Sequence, residues 1–313
     1  MKSKDGIMGF VVGDALGVPV EFERREALDI EPIVDMIGHG TYNQPKGSFS
    51  DDSSMIFATI DSIINTDEID YEDIMTCFLD WYKHGKYTPT GYCFDIGITT
   101  RIGLLNYEEG FHPVQCGGRD ERDNGNGSLM RILPMAYYIG PKDSLEVEDV
   151  ELIYDISKLT HGHPRSLISC HIYCEIACNL LKNDGNLREI MAQSFDNIKE
   201  YYKDHEFKDE LIHFERILDK SIFDEDRDNI SSKGYVITTL EAVIWSLANT
   251  TNYKDAVLKA VNLGRDTDTI TAICGGIAGI YYGYDSIPED WINSIIKKDE
   301  ILDLLDKFDK FIN

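Results

Sequence analysis

The chain has 313 residues, 42% of them hydrophobic and 11% aromatic, which is enough for one large domain or two ordinary ones around a substantial core. A formal net charge of −26 argues against non-specific binding to nucleic acid and to anionic membranes. No apolar run approaches the roughly 20 residues of a membrane-spanning helix, and the N-terminal MKSKDGIMGF lacks the apolar centre of a signal peptide. Seven scattered cysteines without a CxxC pair suit a reducing compartment. We therefore expect a cytoplasmic protein, and we expect it to be a monomer.

The first predicted element is a helix over residues 5–17. Its glycines recur every three or four residues and give the helix one small-residue face for close backbone packing: Gly6, Gly9, Gly13 and Gly17. This spacing, with no strand before it, is not that of a dinucleotide-binding loop. Gly17 and Pro19 end the helix, and Glu21 follows in an apolar turn. A carboxylate there is either a solvated surface residue or a placed functional group, and composition alone favours the first.

The next predicted helix, over residues 54–65, begins with a cluster of oxygen-bearing side chains: Ser50, Asp51, Asp52, Ser53 and Ser54. Serine and aspartate before an apolar run are typical N-cap residues, because their oxygens accept hydrogen bonds from the first N–H groups of a helix. Capping alone explains such a cluster, and so does a cation-binding site. This cluster considered by itself leaves both interpretations open.

Helical spacing continues over residues 71–83 and 95–106, with Asp95 as the expected N-cap of the second helix. A long polar loop then ends at Gly125-Asn126-Gly127-Ser128, which leads into a helix over residues 129–133. Glycines with a serine at a helix start can bind phosphate through their backbone N–H groups. A simple turn with a cap is the commoner outcome for such a motif.

The second half of the chain is also predicted to be helical. We expect a solvated helical surface over residues 187–222, helices over residues 148–159, 165–182, 237–248 and 253–263, and an amphipathic helix pair over residues 288–312. His161 and His163 lie between two of these helices. Two histidines suggest a metal site, but no cysteine or third histidine is spaced to complete one, so we interpret the segment as a substrate-facing loop or a helix cap. Period-2 strands are absent. The sequence predicts one compact all-α domain over residues 1–313, with oxygen-rich helix starts at one end.

A second acidic cluster, Gly264-Arg265-Asp266-Thr267-Asp268-Thr269, precedes the apolar run of residues 270–280. A cap needs one oxygen, whereas two carboxylates and two hydroxyls crowd this helix start. The carboxylates repel each other unless positive charge lies between them, and a helix N-terminus supplies only about half a charge. If this helix start meets the one near Asp51, four carboxylates converge. An all-oxygen set of this kind suits Mg²⁺ or Mn²⁺ and not zinc.

Taken together, these motifs resemble the ADP-ribosylglycohydrolase family, whose founding bacterial member reactivates dinitrogenase reductase. The resemblance spans roughly residues 6–283. The matching stretches, in the family's order, are GFVVGDALGVPVEF, SDDSSM, FDIGITTR, GNGSLMRILP, THGHPRS, GYVITTLEA and VNLGRDTDTITAICGGIAGIYYG. The resemblance implies a compact all-α fold with a centre of two divalent cations, Mg²⁺ or Mn²⁺.

Site residues follow from the resemblance, position by position. The family's metal ligands fall on Ser50, Asp51, Asp52, Asp266, Asp268 and Thr269. Its catalytic carboxylates fall on Glu21 and Asp95, and its substrate-contacting residues on Asn126, Gly127, Ser128, His161, Gly234 and Tyr235. Ser50 stands where the family usually has threonine and keeps the hydroxyl. Arg265 stands where the family often has glycine, and Lys233 where it often has a small residue.

The implied function is metal-dependent hydrolysis of the glycosidic bond that joins ADP-ribose to a protein side chain, arginine above all, or to a small conjugate. A catalytically silent ADP-ribose-binding module is the main alternative. A prenyl synthase with a DDxxD box is disfavoured, because Met55 stands where that box needs its last aspartate. A recruited structural protein is disfavoured by the complete set of ligands. The sequence leaves open the linkage cleaved, the target and the choice between Mg²⁺ and Mn²⁺.

Overall fold

Fifteen α-helices make up most of residues 2–313, the part of the chain that the computed structural model describes. In chain order they are α1 (Ser3–Gly17), α2 (Arg25–Ile30), α3 (Asp51–Thr66), α4 (Tyr71–His84), α5 (Ile98–Glu108), α6 (Leu133–Ile139), α7 (Val147–Lys158), α8 (Pro164–Lys182), α9 (Leu187–Tyr202), α10 (Glu215–Leu218), α11 (Val236–Ala248), α12 (Tyr253–Val261), α13 (Thr267–Tyr282), α14 (Glu289–Ser294) and α15 (Lys298–Ile312). Within these described residues only isolated β-bridges occur, so the predicted all-α fold is confirmed.

Three of the predicted helices differ from those observed. Residues 95–97 precede α5, which begins at Ile98 with Gly97 as its N-cap, so the prediction that Asp95 caps this helix is wrong. The helix predicted over residues 129–133 is a single 3₁₀ turn, Leu129–Arg131, followed by α6. The surface predicted to be helical over residues 187–222 contains α9 and the short α10, joined by irregular turns. No helix in the described residues is long and apolar enough to cross a lipid bilayer.

Helices α1 and α13 pack against each other in opposite directions, and their glycines explain how closely they approach. A Cβ atom added to Gly9 would lie 2.4 Å from the carbonyl oxygen of Gly275, and one added to Gly13 would lie 2.3 Å from that of Thr271. These distances are too short for any side chain, so only glycine allows this backbone contact. The small-residue face predicted for the first helix is therefore the surface that receives α13.

This antiparallel packing brings the end of α1 to the start of α13. A Cβ atom on Gly17 would lie 2.4 Å from the Cα atom of Asp268, and the Thr267 hydroxyl donates a hydrogen bond to the carbonyl oxygen of Gly17 at 2.8 Å. Glu21 follows α1 by only a short 3₁₀ turn. The turn after the first helix is thus held beside the second acidic cluster, about 250 residues away along the chain.

Candidate active site

The start of α3 lies against the same end of α1, and Asp14 holds it there. The Asp14 carboxylate accepts hydrogen bonds from the backbone N–H groups of Ser50 and Ser53, at 2.9 Å and 3.1 Å, and from the Ser53 hydroxyl at 2.6 Å. It therefore caps α3 from another helix, whereas the Ser50 hydroxyl accepts only one longer bond, 3.3 Å from Asp52 N–H. This leaves the carboxylates of Asp51 and Asp52 free of the capping task.

Sequence reasoning missed Asp14, although one signal was present. Asp14 is the only charged residue in the stretch GFVVGDALG, which otherwise holds only small and apolar residues. A carboxylate buried in such a helix is costly unless it is paired or hydrogen-bonded. Burial raises the pKa of Asp14 to about 6, although the hydrogen bonds from Ser53 and Ser50 offset part of that rise.

Replacing Asp14 with alanine is expected to lower the free energy of unfolding by about 3 kcal/mol, because buried donors at the start of α3 lose their acceptor. Asp70→Ala is the matched control: Asp70 caps α4 through Glu72 and Asp73 N–H at the surface, and its loss should cost about 1 kcal/mol. Urea unfolding with Mg²⁺ present measures both variants. A loss for Asp14→Ala no larger than that of the control would contradict the assigned capping role.

The two acidic helix starts meet at the bottom of a cleft of about 500 Å³. Of the residues predicted to form the site, those that line this cleft are Glu21, Asp51, Asp95, Asn126, Gly127, His161, Gly234, Asp266 and Thr269. Ser50, Asp52 and Asp268 are buried behind its wall. Ser128 is also buried and contacts the Cys170 thiol at 3.5 Å, so its side chain is not part of the cleft surface. Tyr235 does not line the cleft either, but its backbone pairs with Gly125.

The carboxylates in and behind the cleft form one group. One oxygen each of Glu21, Asp266 and Asp268 lie within 4.8 Å of one another, an arrangement able to hold a metal ion. The Thr269 hydroxyl lies 3.4 Å from a carboxylate oxygen of Asp52 and so joins the two helix starts. Sequence reasoning placed Glu21 beside the metal ligands, whereas the geometry makes it a member of the group that can bind the ion.

Several oxygens of this group are buried without a hydrogen-bond partner in the described residues: Oε2 of Glu21, Oδ2 of Asp52 and Oδ2 of Asp268. Unpartnered buried carboxylate oxygens are strongly destabilising unless a cation or a proton satisfies them. Carboxylate and hydroxyl oxygens are the ligands that Mg²⁺ and Mn²⁺ prefer. The donor set therefore fits the divalent cations implied by the sequence.

The pKa values of these carboxylates also indicate a need for a bound cation or bound protons. Burial, with further repulsion from Asp95 and Asp266, raises the pKa of Glu21 to about 9. Burial also raises the pKa of Asp266 to about 6, and holds those of Asp52 and Asp268 well above the ordinary range. At neutral pH some of these carboxylates must therefore be protonated, unless a bound cation offsets their negative charge.

Asp95 lies in the loop before α5, with a left-handed backbone at φ 54°. Aspartate is one of the few residues that tolerate this conformation. Its charge contributes to raising the pKa of Glu21 and of Asp51, which places Asp95 electrostatically within the carboxylate group. Asp95 does not cap α5, so its position on the cleft wall points to a role toward a ligand in the cleft.

The loop that ends at Gly127 forms another wall of the cleft. The Asn126 side chain donates hydrogen bonds to Asp266 at 2.5 Å and to the Thr239 hydroxyl at 3.0 Å, so it orients one carboxylate of the group that could hold a metal ion. A Cβ atom on Gly127 would lie 2.8 Å from the His161 ring, so glycine is required for the loop to pass over the imidazole. The bridge between Gly125 and Tyr235 fixes the loop to the start of α11.

His161 is buried, and burial lowers the pKa of its imidazole to about 3, so the ring is neutral at neutral pH. Its Nδ1 lies 2.8 Å from the Thr160 hydroxyl, which itself accepts a hydrogen bond from Arg131 at 2.7 Å. The Thr160 hydroxyl can donate its own hydrogen to Nδ1, and in that arrangement the neutral ring carries its hydrogen on Nε2. In this tautomer Nε2–H is a neutral donor for a ligand, because His161 lines the cleft.

Comparison with known proteins bears on the whole chain. A family model described as ADP-ribosylglycohydrolase matches residues 2–312. The chain is similar to the ADP-ribosylarginine hydrolase Tri1 of Serratia proteamaculans, with 33% identity over 307 residues that cover 98% of this chain and 78% of the relative. It is also similar to the ADP-ribosyl-[dinitrogen reductase] glycohydrolase of Rhodospirillum rubrum, with 28% identity over 297 residues, 94% of this chain and 90% of the relative.

A solved structure shares the fold. The structure described as an ADP-ribosylglycohydrolase-related protein complex superposes with a TM-score of 0.81 and 25% sequence identity, over 100% of this chain and 98% of that chain. The resemblance inferred from the sequence motifs is thereby confirmed. Because the family model spans all but the chain ends, this chain belongs to the ADP-ribosylglycohydrolase family.

Proposed function

We propose that this protein hydrolyses the glycosidic bond between ADP-ribose and an arginine side chain of a modified protein, with two divalent cations, Mg²⁺ or Mn²⁺, as cofactors. Membership of the family makes it a glycosidic-bond hydrolase. The arginine linkage is supported by the similarity to relatives named ADP-ribosylarginine hydrolase, at 33% and 31% identity. The observation that carries the proposal is the group of buried, unpartnered carboxylate oxygens in and behind the wall of the cleft.

The residues proposed to hold the cations are Ser50, Asp51, Asp52, Asp266, Asp268 and Thr269, with Glu21 close enough to share one of them. Cations bound there would supply the positive charge that orients the ribose hydroxyls and makes a water molecule more acidic. Asn126 keeps Asp266 in place through its side-chain hydrogen bond. Asp14 keeps the start of α3 in place, so both halves of the ligand set are positioned before substrate binds.

Cleavage of a ribosyl bond passes through a state with positive charge on the ribose ring. Asp95 is proposed to stabilise that charge or to accept a proton from a ribose hydroxyl, which its position on the cleft wall supports. Glu21 is proposed to accept the proton of the attacking water, a role supported by one carboxylate oxygen that has no hydrogen-bond partner in the described residues. His161 is proposed to donate a hydrogen bond from Nε2–H to an oxygen of the substrate without adding charge, which its position on the cleft supports.

A panel of peptides that carry ADP-ribose on arginine, serine or glutamate tests the proposal, with Mg²⁺ or Mn²⁺ supplied in turn. We expect release of ADP-ribose from the arginine peptide with a kcat/KM at least about tenfold above that for the other linkages. Release from the serine peptide alone would show that the protein cleaves the serine linkage and not the arginine linkage. Tight ADP-ribose binding with no release from any peptide would favour the catalytically silent binding module.

A further inference from the structure

Two cationic side chains, Lys233 and Arg265, border the cleft. Both are exposed, and neither forms an ion pair with any carboxylate in residues 2–313. The chain has 56 acidic residues against 30 lysines and arginines, so carboxylates are available in excess. What sets these two cations apart from other exposed ones is their position on one cleft, where they are available to an anionic ligand.

The two residues lie on neighbouring segments of the backbone. Asp266 N–H donates a hydrogen bond to the carbonyl oxygen of Ser232 at 3.1 Å, and the Ser232 hydroxyl donates to the carbonyl oxygen of Leu263 at 3.0 Å. Lys233 directly follows Ser232, and Arg265 directly precedes Asp266. The fold thus sets both residues on adjacent backbone segments at the border of the same cleft, where one anionic ligand can meet both side chains.

Arg265 also adopts a strained backbone conformation, with φ 70°. The conformation is fixed, because its N–H donates to the carbonyl oxygen of Glu23 at 2.7 Å and its own carbonyl oxygen accepts from Phe22 N–H at 2.6 Å. Glycine adopts this φ without strain, whereas a residue with a Cβ atom does not. A residue that keeps a strained backbone beside a cleft is a candidate for a function of its side chain there.

Free backbone donors lie next to Lys233. Asn126 N–H donates to the carbonyl oxygen of Gly234 at 3.2 Å, so the loop that ends at Gly127 runs beside the segment that carries Lys233. The N–H groups of Gly127 and Ser128 have no hydrogen-bond acceptor within the described part of the chain. Backbone donors beside a cation are the usual surroundings of a bound phosphate group.

We propose that Lys233 and Arg265 bind the pyrophosphate of the ADP-ribosyl group, against the loop that ends at Gly127. The proposal rests on the proposed function, because it takes ADP-ribose as the ligand. Two phosphates bring two negative charges to a protein of net charge −26, and the long-range repulsion opposes their approach. A pair of cations at the cleft border offsets this repulsion locally and fixes the phosphates by charge-assisted hydrogen bonds.

The test is a double variant, Lys233→Ser with Arg265→Gly, which removes both charges and gives position 265 a residue that adopts φ 70° without strain. Calorimetry with ADP-ribose is expected to give a Kd about 10- to 100-fold higher than that of the wild type at low ionic strength. The dependence of Kd on salt is expected to become shallower, because two screened charges have been removed. The Kd for adenosine, which has no phosphate, is expected to change less than about twofold.

The matched control removes the same charge elsewhere. Arg24→Ser with Lys46→Ser replaces two exposed cations that do not line the cleft. If the control weakens ADP-ribose binding as much as the test variant does, net charge is responsible and the proposal is wrong. If the test variant binds ADP-ribose like the wild type, with the same salt dependence, the proposal is also wrong. It is equally wrong if only an ADP-ribosylated protein binds less well, since the cations would then contact the carrier.

The outcome can be separated from that of the proposed function. Wild-type protein that binds ADP-ribose but does not cleave the arginine-linked peptide contradicts the proposed reaction and leaves the Kd comparison valid. Wild-type protein that does not bind ADP-ribose overturns both. Thermal unfolding checks that the double variant is folded; if it is not, the single variants Lys233→Gln and Arg265→Gln remove each charge while keeping most of the side chain, and the same Kd shift is expected in part from each.

Discussion

Replacement of Asp268 with alanine is expected to remove hydrolysis almost completely, by about 10³-fold or more, the scale of losing a major electrostatic stabiliser of the transition state. Asp268 is buried at the start of α13, against Gly17 and within reach of the Glu21 and Asp266 carboxylates. Its loss leaves the cation with too few oxygen ligands. Measurement of bound Mn²⁺ and of ADP-ribose release in the same sample checks both effects.

A second readout of the Asp268 variant does not depend on activity. In chelator no cation lies between the buried carboxylates, and burial together with their mutual repulsion raises the pKa of Asp268 and of Asp52, so their charged forms are unfavourable in the folded protein. Asp268→Ala removes one of these charges, so the metal-free variant is expected to unfold at a higher temperature than the metal-free wild type. Asp204→Asn is the control, because it removes a negative charge from an exposed residue elsewhere. Equal shifts in the two variants would mean that overall charge, and not the buried group, sets this stability.

The same reasoning gives a sign for the effect of pH on the metal-free wild type. The pKa of Glu21 is raised from 4.5 to about 9 in the folded protein, and that of Asp266 from 3.8 to about 6. The folded state therefore binds more protons than the unfolded state between these values. Stability contributed by these groups is present at low pH and is lost as pH rises, through about pH 6 for Asp266 and pH 9 for Glu21. Added Mg²⁺ or Mn²⁺ should flatten this dependence, because it binds the ionised forms.

The sequence was informative wherever a local pattern had a local cause. The glycine spacing in the first helix and the acidic residues at the starts of α3 and α13 appear where the sequence placed them. Both acidic helix starts could be identified because carboxylates that exceed the needs of a cap are conspicuous in one short segment. That these two segments touch is a consequence of α1, which packs against α13 and caps α3, and no local pattern specifies that contact.

The features that the sequence predicted wrongly or did not reveal depend on the folded backbone and on contacts between distant segments. Asp95 matched the pattern of an N-cap, but Gly97 provides the start of α5 and leaves Asp95 in a left-handed turn. Asp14 carries the cap of α3 from another helix, so its role depends on a contact between residues 36 positions apart. Lys233 and Arg265 lie on adjacent segments because the N–H of Asp266 donates a hydrogen bond to the carbonyl oxygen of Ser232, and sequence spacing does not reveal this contact.

Replacement of Asp95 with asparagine is expected to lower the hydrolysis rate by about 10²–10⁴-fold, the range for loss of a group that transfers a proton or stabilises charge in the transition state. Asparagine has nearly the same shape as aspartate and tolerates a backbone φ of 54°, so the loop should keep its conformation. Bound metal and the Kd for ADP-ribose should be retained. The charge of Asp95 is the largest contribution after burial to the raised pKa of Glu21, so the variant should also lower the pKa of Glu21 and shift the pH–rate profile.

The control for this variant is Asp67→Asn, which makes the same change at another left-handed aspartate. Asp67 has φ 59° and is the exposed residue that ends α3, outside the cleft. Any effect of the amide on a strained backbone should appear equally in both variants, whereas an effect on the reaction should appear only at Asp95. Wild-type hydrolysis by Asp95→Asn, with an unchanged pH–rate profile, would limit the catalytic carboxylates to Glu21 and the ligands of the cations. Loss of metal together with activity would instead make Asp95 part of the binding site for the cation, since its charge acts on Asp51 as well as on Glu21.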